Sequence, residues 1–409
     1  MAWKCLKFKR KRLGKYGTPS TKVIFNSNTL FRYFLFERSG KKYLNCTIFV
    51  LANKNQKTMK KTITIVLILF GCNLFSQEVV VGGDSALLNQ MRAKEFLAQG
   101  IEQFEAKNYN AAIASFDQAI VLDPTSDKSY FNRGSAKMQM GNYKDAIQDF
   151  NKTIELTADF KNAHYNRAKS FEATNDLNSA LNDYNKALEL DKENATAFYH
   201  RGGIHFRNNN YKEAMADYDN AILNNPKYAY AFNDRGSAKK MLNDIDGAIV
   251  DYKKAVELDP TLPYFYNNLG SVLRTKGEFK EAIKNYDKAI QLKKDYHIAY
   301  NNRGYAKFEL GNYDEAIKDF NLAINIQSDY AFAYNNRAAA KHKQKDYKGA
   351  IEDCNKAISL DANYGGAYLN RGIAKEMLRD EDGACKDWQK AADLGSKNAK
   401  SFVSQSCEN

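Results

Sequence analysis

Histidine is scarce in this sequence: five residues among 409, at His164, His200, His205, His297 and His342, with no metal-ligand spacing between them. A G-x-x-x-x-G-K-[ST] phosphate loop, a G-x-S-x-G elbow and an H-E-x-x-H pair are all missing as well. Metal-centred hydrolysis, nucleotide chemistry and serine-hydrolase chemistry therefore lack their residues, and neither a cofactor nor a metal is expected. Long hydrophobic runs are also absent. The apolar stretch Ile63 to Phe70 falls well short of the roughly 20 residues that a membrane-spanning helix needs.

Acid is nearly missing from the N-terminal stretch. Residues 1–58 hold 14 Lys and Arg against the single acid Glu37, and Lys60 and Lys61 follow. The remainder carries 45 basic and 47 acidic side chains, so the formal net charge of +13 belongs to the N-terminal segment and not to the body. No nucleic-acid partner is expected, because phosphate binding needs positive charge clustered where the fold presents it.

Met59 starts a second apparent beginning, MKKTITIVLILFGCNLFSQE, with a Lys60-Lys61 n-region, an apolar core and a polar exit. This reads as a secretory signal peptide over 59–76. Residues 1–58 are then either upstream, non-native translation or a disordered basic arm. Two processing routes stay open: lipidation of Cys72, since Leu69-Phe70-Gly71-Cys72 resembles a lipobox with a bulky Phe70, or simple cleavage after Ser76. Either route predicts an exported protein, periplasmic or associated with the cell envelope, whose contact with a membrane is limited to a lipid anchor.

From Ala93 to Asn398 the chain divides into nine blocks of 34 residues without an insertion. Position 8 of the block is Gly100, Gly134, Ala168, Gly202, Gly236, Gly270, Gly304, Ala338 and Gly372, and position 20 is alanine in all nine. Both lie within apolar-periodic stretches separated by turn signals such as Gly141-Asn142 and Gly311-Asn312. A glycine inside a helix costs about 1 kcal/mol against alanine. The gain that offsets it repeatedly is the close approach of two antiparallel helices, with the aromatics at positions 4, 17 and 24 filling the seams. Each block is thus a helix-turn-helix pair that buries its face only by stacking on its neighbours. Residues 77–92 read as a linker or N-terminal cap, and 399–409 as a C-terminal capping segment.

This pattern resembles the tetratricopeptide repeat over blocks 93–126, 127–160, 161–194, 195–228, 229–262, 263–296, 297–330, 331–364 and 365–398, including Pro124, Pro226 and Pro260 at position 32. The resemblance implies an all-α, right-handed superhelix, an α-solenoid of nine repeats, whose concave face is lined by the first helices and holds peptide segments of partners.

Two ladders run through the blocks. Position 7 is Arg133, Arg167, Arg201, Arg235, Arg303, Arg337 and Arg371, and in the same seven blocks position 23 is Asp149, Asp183, Asp217, Asp251, Asp319, Asp353 and Asp387. The two blocks without the arginine, with Gln99 and Leu269, also lack the acid, having Ser115 and Asn285. Joint presence and absence predict a charge-assisted contact between the two helices of each repeat. Position 6 is asparagine in six blocks: Asn132, Asn166, Asn268, Asn302, Asn336 and Asn370. Six asparagines in helix interiors forgo about 3 kcal/mol of helix propensity, whereas position 12 has drifted freely.

A carboxamide both donates and accepts, so it can pair with a peptide backbone whatever the side chains are. The ladder is similar to the one in the repeat region of O-linked N-acetylglucosamine transferase, which implies a backbone clamp. Bonding to the neighbouring helix is the alternative. Position 5, with Tyr165 and Tyr199 and then Asn267, Asn301 and Asn335, is expected to extend the groove from an aromatic to a hydrogen-bonding stretch. The repeats leave no room for a catalytic domain, so the chain reads as a non-enzymatic scaffold for a protein or peptide partner. A structural role at the envelope through edges or the convex face, and an accessory subunit of an envelope enzyme, are the alternatives. Cys385 and Cys407 are placed to form a disulfide that staples the C-terminal cap, with Phe402 turned inward, and Cys354 reads as core.

Overall fold

A computed structural model describes residues 85–407 together with two short strands, β1 (Thr21–Ile24) and β2 (Arg32–Leu35), which pair antiparallel with Thr21 opposite Leu35. The start at Met59, the signal peptide and Cys72 lie outside the described residues. Two compact units are distinguished, Met1–Ser129 and Tyr130–Asn409. In the first, α1 (Ser85–Glu105) packs against α2 (Tyr109–Leu122). The segment read as a linker or N-terminal cap is helical from Ser85, with no Gly or Pro between Ser85 and Arg92 to break the run.

α3 (Asp127–Gln139) straddles the boundary, and α4 (Tyr143–Leu156) belongs to the second unit. There follow α5 (Lys161–Ala173) and α6 (Leu177–Leu190), α7 (Ala195–Arg207) and α8 (Tyr211–Asn224), and α9 (Ala229–Met241) and α10 (Ile245–Leu258). The later pairs are α11 (Pro263–Thr275) with α12 (Phe279–Leu292), α13 (His297–Glu309) with α14 (Tyr313–Ile326), and α15 (Ala331–Lys343) with α16 (Tyr347–Leu360). The last is α17 (Gly365–Met377) with α18 (Glu381–Asp393), followed by α19 (Lys397–Ser406). From α4 to α19 consecutive helices pack in series, and from α7 to α17 each first helix also touches the next first helix, the all-α arrangement of an α-solenoid. Among the described residues no helix is long and apolar enough to cross a membrane.

The small residue at position 8 is where the two helices of a repeat meet. A Cβ on Gly304 would come within 2.8 Å of Phe320, and one on Gly372 within 2.5 Å of the Trp388 indole nitrogen. The position-24 ring therefore lies flat on bare backbone. In the eighth repeat Cys354, buried and free, takes the place of that ring opposite Ala338, whereas in the third repeat Ala168 packs with the Tyr184 ring. The turn between helices is equally regular, since position 15 has a positive φ in every repeat: Lys107, Gly141, Asn175, Asn209, Asn243, Gly277, Gly311, Lys345 and Arg379. Glycine and asparagine suit that conformation, whereas lysine and arginine are strained in it by about 1 kcal/mol. Lys345→Gly is accordingly expected to raise the stability of the eighth repeat by up to about 1 kcal/mol, read as a higher midpoint in urea. An unchanged or lower midpoint would show that the turn carries no such strain.

At the C-terminal end α19 lies on α18, and Phe402 stacks on Trp388 with ring centroids 4.9 Å apart. Cys385 and Cys407 are joined by a disulfide.

Candidate functional site

The arginines at position 7 are held from several sides. Arg303 donates from Nε and Nη2 to the two carboxylate oxygens of Asp319, at 2.9 and 2.6 Å, and the same forked contact recurs at Arg133, Arg167, Arg201, Arg235, Arg337 and Arg371. Its Nη1 reaches back to Asp287 at position 25 of the preceding repeat. Arg167, Arg201, Arg337 and Arg371 make the same backward bond to Asn151, Asn185, Asn321 and Asn355, and Arg235 to Asp219. The guanidinium also lies over the position-4 ring, 5.3 Å from the Tyr300 centroid in the seventh repeat.

A lysine at position 11 supplies a second cation to five of the seven acids: Lys137, Lys239, Lys307, Lys341 and Lys375 lie 2.8 to 2.9 Å from Asp149, Asp251, Asp319, Asp353 and Asp387. In the third repeat His164 stands in for it, 3.3 Å from Asp183. Burial pushes the Asp183 carboxyl upward, but Arg167 and His164 outweigh it and hold the group below the ordinary carboxylate range. With its guanidinium forked onto the acid of its own repeat, and in six of the seven also bonded back to the preceding repeat, each of these arginines ties helices together.

The asparagine ladder divides by position. Asn267, Asn301 and Asn335 are buried, Asn301 being only 5% exposed, as is Asn233 in the fifth repeat. Each of these four accepts, at Oδ1, a hydrogen bond of 2.9 to 3.0 Å from the Nδ2 of the next repeat's position-6 residue: Asn268 to Asn233, Asn302 to Asn267, Asn336 to Asn301, and Asn370 to Asn335. The expectation that Asn267, Asn301 and Asn335 line the groove is thus corrected. Neighbouring residues on a helix point about 100° apart, so when position 6 faces outward position 5 turns into the wall.

Tyr165 and Tyr199 sit in that wall too, half-buried against the core. The Tyr199 hydroxyl donates to Asp234 at 2.8 Å, the same link between repeats with its polarity reversed, and burial first and then Asp234 push that hydroxyl above the ordinary tyrosine range. Asn166 donates to the Ser135 hydroxyl at 3.4 Å, and Asn132 is half-buried on α3.

Position 6 does not thereby lose its outward face. Asn268, Asn302, Asn336 and Asn370 are half-exposed, each carboxamide is oriented by its Nδ2 bond, and among the described residues their Oδ1 atoms take no protein partner. One helical turn earlier, on the same face, stand Tyr264, Ile298 and Phe332, residues that the sequence reading passed over. Phe332 is 54% exposed and Tyr230, ahead of Asp234, 44%. Their signal was present in the i, i+4 spacing from the amides. Further along, Glu172 receives the Tyr184 hydroxyl at 3.0 Å, His200 at 3.3 Å and Arg207, beside an open cavity of about 390 Å³ lined also by Lys169 and Tyr143.

Comparison with family models matches the "TPR repeat" model at residues 102–141, 240–275, 270–311 and 304–345, and two "Tetratricopeptide repeat" models at 165–229 and at 128–159 and 331–364. The chain belongs to the tetratricopeptide repeat family. Several of the similar solved structures are described as tetratricopeptide repeat proteins. A tetratricopeptide repeat protein from Parabacteroides merdae aligns with a TM-score of 0.52 and 20% identity over 60% of this chain and 97% of its own. The hetero-tetramer Cut9-Hcn1 of the APC/C aligns with a TM-score of 0.51 and 14% identity over 77% of this chain and 76% of that one. YrrB, described as a TPR protein with an unusual peptide-binding site, is 28% identical over 45% of this chain and 95% of its own, with a TM-score of 0.41. The search of curated proteins finds no match. Within each of these repeats the position-2 side chain stands one helical turn from the amide, and among the described residues no cluster of His, Cys, Asp and Glu could hold a metal ion.

Proposed function

We propose that the chain is a non-enzymatic scaffold whose concave, first-helix face holds an extended segment of a protein partner. Tetratricopeptide repeat proteins are protein-interaction scaffolds and bind protein or peptide partners. The observation that supports the finer reading is the repetition of one oriented amide. Asn268, Asn302, Asn336 and Asn370 are each held at Nδ2 by the repeat before, which leaves Oδ1 to accept a backbone N–H from a guest strand. Packed helices stand about 8–10 Å apart and an extended chain advances about 3.3 Å per residue, so one amide would meet every third residue. Tyr264, Ile298 and Phe332 would receive apolar side chains of the same strand. Asn132 and Asn166 continue the row toward the N-terminal repeats. The signal-like segment at Met59 supports export to the periplasm or envelope as part of this reading, with Cys72 lipidation or cleavage after Ser76 as the two routes.

Photo-cross-linking in the native host tests it. A p-benzoylphenylalanine at Phe332 is expected to capture one discrete partner through a short internal segment, whereas the same group at Leu223, exposed on the second helix α8, captures none. Capture from Leu223 with none from Phe332 would instead support assembly through the outer face. A captured enzyme would make the chain that enzyme's accessory subunit.

A further inference from the structure

Two cations near the middle of the first-helix row have no acid opposite them. Lys240, at position 12 on α9, and Arg274, at position 12 on α11, are half-buried and make no ion pair with any described acid, although the adjacent Lys239 is paired with Asp251 at 2.8 Å. Lys240 Nζ donates to the Ser271 hydroxyl at 3.2 Å, and Arg274 stands three residues after Ser271, one helical turn along the same helix. Arg274 lies over the Tyr305 ring, 4.8 Å from its centroid, and its Nε is buried with no hydrogen-bond partner. Burial, and then Arg274, hold the Lys240 ammonium below the ordinary lysine range. Two partly desolvated like charges on neighbouring repeats, with no acid paired to either, are an arrangement that an anion relieves.

We propose that Lys240, Ser271 and Arg274 form an anion site that seats the carboxylate of one Asp or Glu side chain within the guest segment. This rests on the groove reading above and adds a side-chain requirement to it. A charge-assisted pair with both cations is stronger than a neutral contact, and the small donor set, one ammonium, one hydroxyl and part of one guanidinium, matches a carboxylate. Asn132 and Asn166 lie on the repeats before and Asn302, Asn336 and Asn370 on the repeats that follow, so the acidic residue is internal to the bound segment and not its terminus.

Fluorescence anisotropy of the full chain with labelled hexaglutamate tests this, with hexaglutamine as the neutral counterpart. Hexaglutamate is expected to bind at low salt and hexaglutamine at least about tenfold more weakly, and K240Q and R274Q are each expected to weaken hexaglutamate about tenfold. Lys253→Gln, exposed on α10, should leave it unchanged. Failure of hexaglutamate to bind, or equal binding by K240Q, R274Q and the parent, overturns the site. Displacement of the peptide by inorganic phosphate at concentrations where acetate has no effect overturns the carboxylate assignment. The groove reading fails separately: Asn302→Ala and Asn336→Ala would leave peptide binding intact while K240Q and R274Q still abolish it.

Discussion

Asp319→Ala is expected to destabilise the chain by about 3 kcal/mol, seen as a lower midpoint in urea with its steepest effect on the seventh repeat. The Asp319 side chain is 3% exposed and receives both Arg303, 17% exposed, and Lys307, 16% exposed. Its removal leaves two neighbouring cations facing each other with little access to water. Arg303 retains Asp287, which places the loss at the lower end of what breaking a buried pair produces. The sixth repeat shows how the same junction is built without an ion pair. There position 7 is Leu269, position 11 Leu273 and position 23 Asn285, and the preceding position 25 is Lys253, with Leu269 and Leu273 buried in one apolar cluster. Transplanting that set into the seventh repeat, as Arg303→Leu, Lys307→Leu, Asp319→Asn and Asp287→Lys together, is expected to return stability to within about 1 kcal/mol of the parent. If the fourfold variant stays as unstable as Asp319→Ala, the four positions do not act as a unit.

Trp388→Ala carries the other large effect. Trp388 is 1% exposed, lies on the bare backbone of Gly372 and stacks on Phe402, so truncation to alanine should remove about 3–5 kcal/mol from the last repeat. Stability in a stacked array is nearly a sum over repeats and their interfaces, so the loss stays local. α19 would come away from α18, held only by the Cys385 to Cys407 disulfide, whose 22-residue loop contributes about 3 kcal/mol by limiting the unfolded chain. Hydrogen exchange should therefore show α17, α18 and α19 losing protection in Trp388→Ala, and losing it almost fully once a reductant is added, while α9 to α14 exchange as in the parent. Uniform loss of protection along the chain would contradict the local picture.

The repeat itself was legible because nine internal copies act as one another's controls. The Arg and Asp partnership was visible in the joint absence at Leu269 and Asn285, and the forked contacts have that geometry in the structure. The same logic could have reached Lys307 and Asp287, since Leu273 and Lys253 change in that same sixth-repeat junction, but those positions vary more among the other repeats and hide the signal. His164, His205 and Phe171 each replace the expected residue by different chemistry.

The asparagine pair was half legible. Its recurrence marks a row of amides, yet two adjacent residues cannot share one helix face, and only coordinates assign Asn301 to the wall and Asn302 to the surface. The bond between Asn302 and Asn267 also means that the surface amide is tied to the fold. Asn302→Ala would leave the buried Asn267 oxygen without its donor and lower stability by about 1–3 kcal/mol, so a change in partner binding at that position cannot be read without a stability control.

A cleaner measurement of the backbone clamp alters the guest and leaves the protein intact. A peptide that binds the full chain, selected from a random library, would be scanned twice, once by N-methylation of successive amides and once by alanine substitution. The account predicts that N-methylation at every third residue weakens binding about tenfold or more, while alanine at those same residues is tolerated. A flat N-methyl scan beside a steep alanine scan would contradict it.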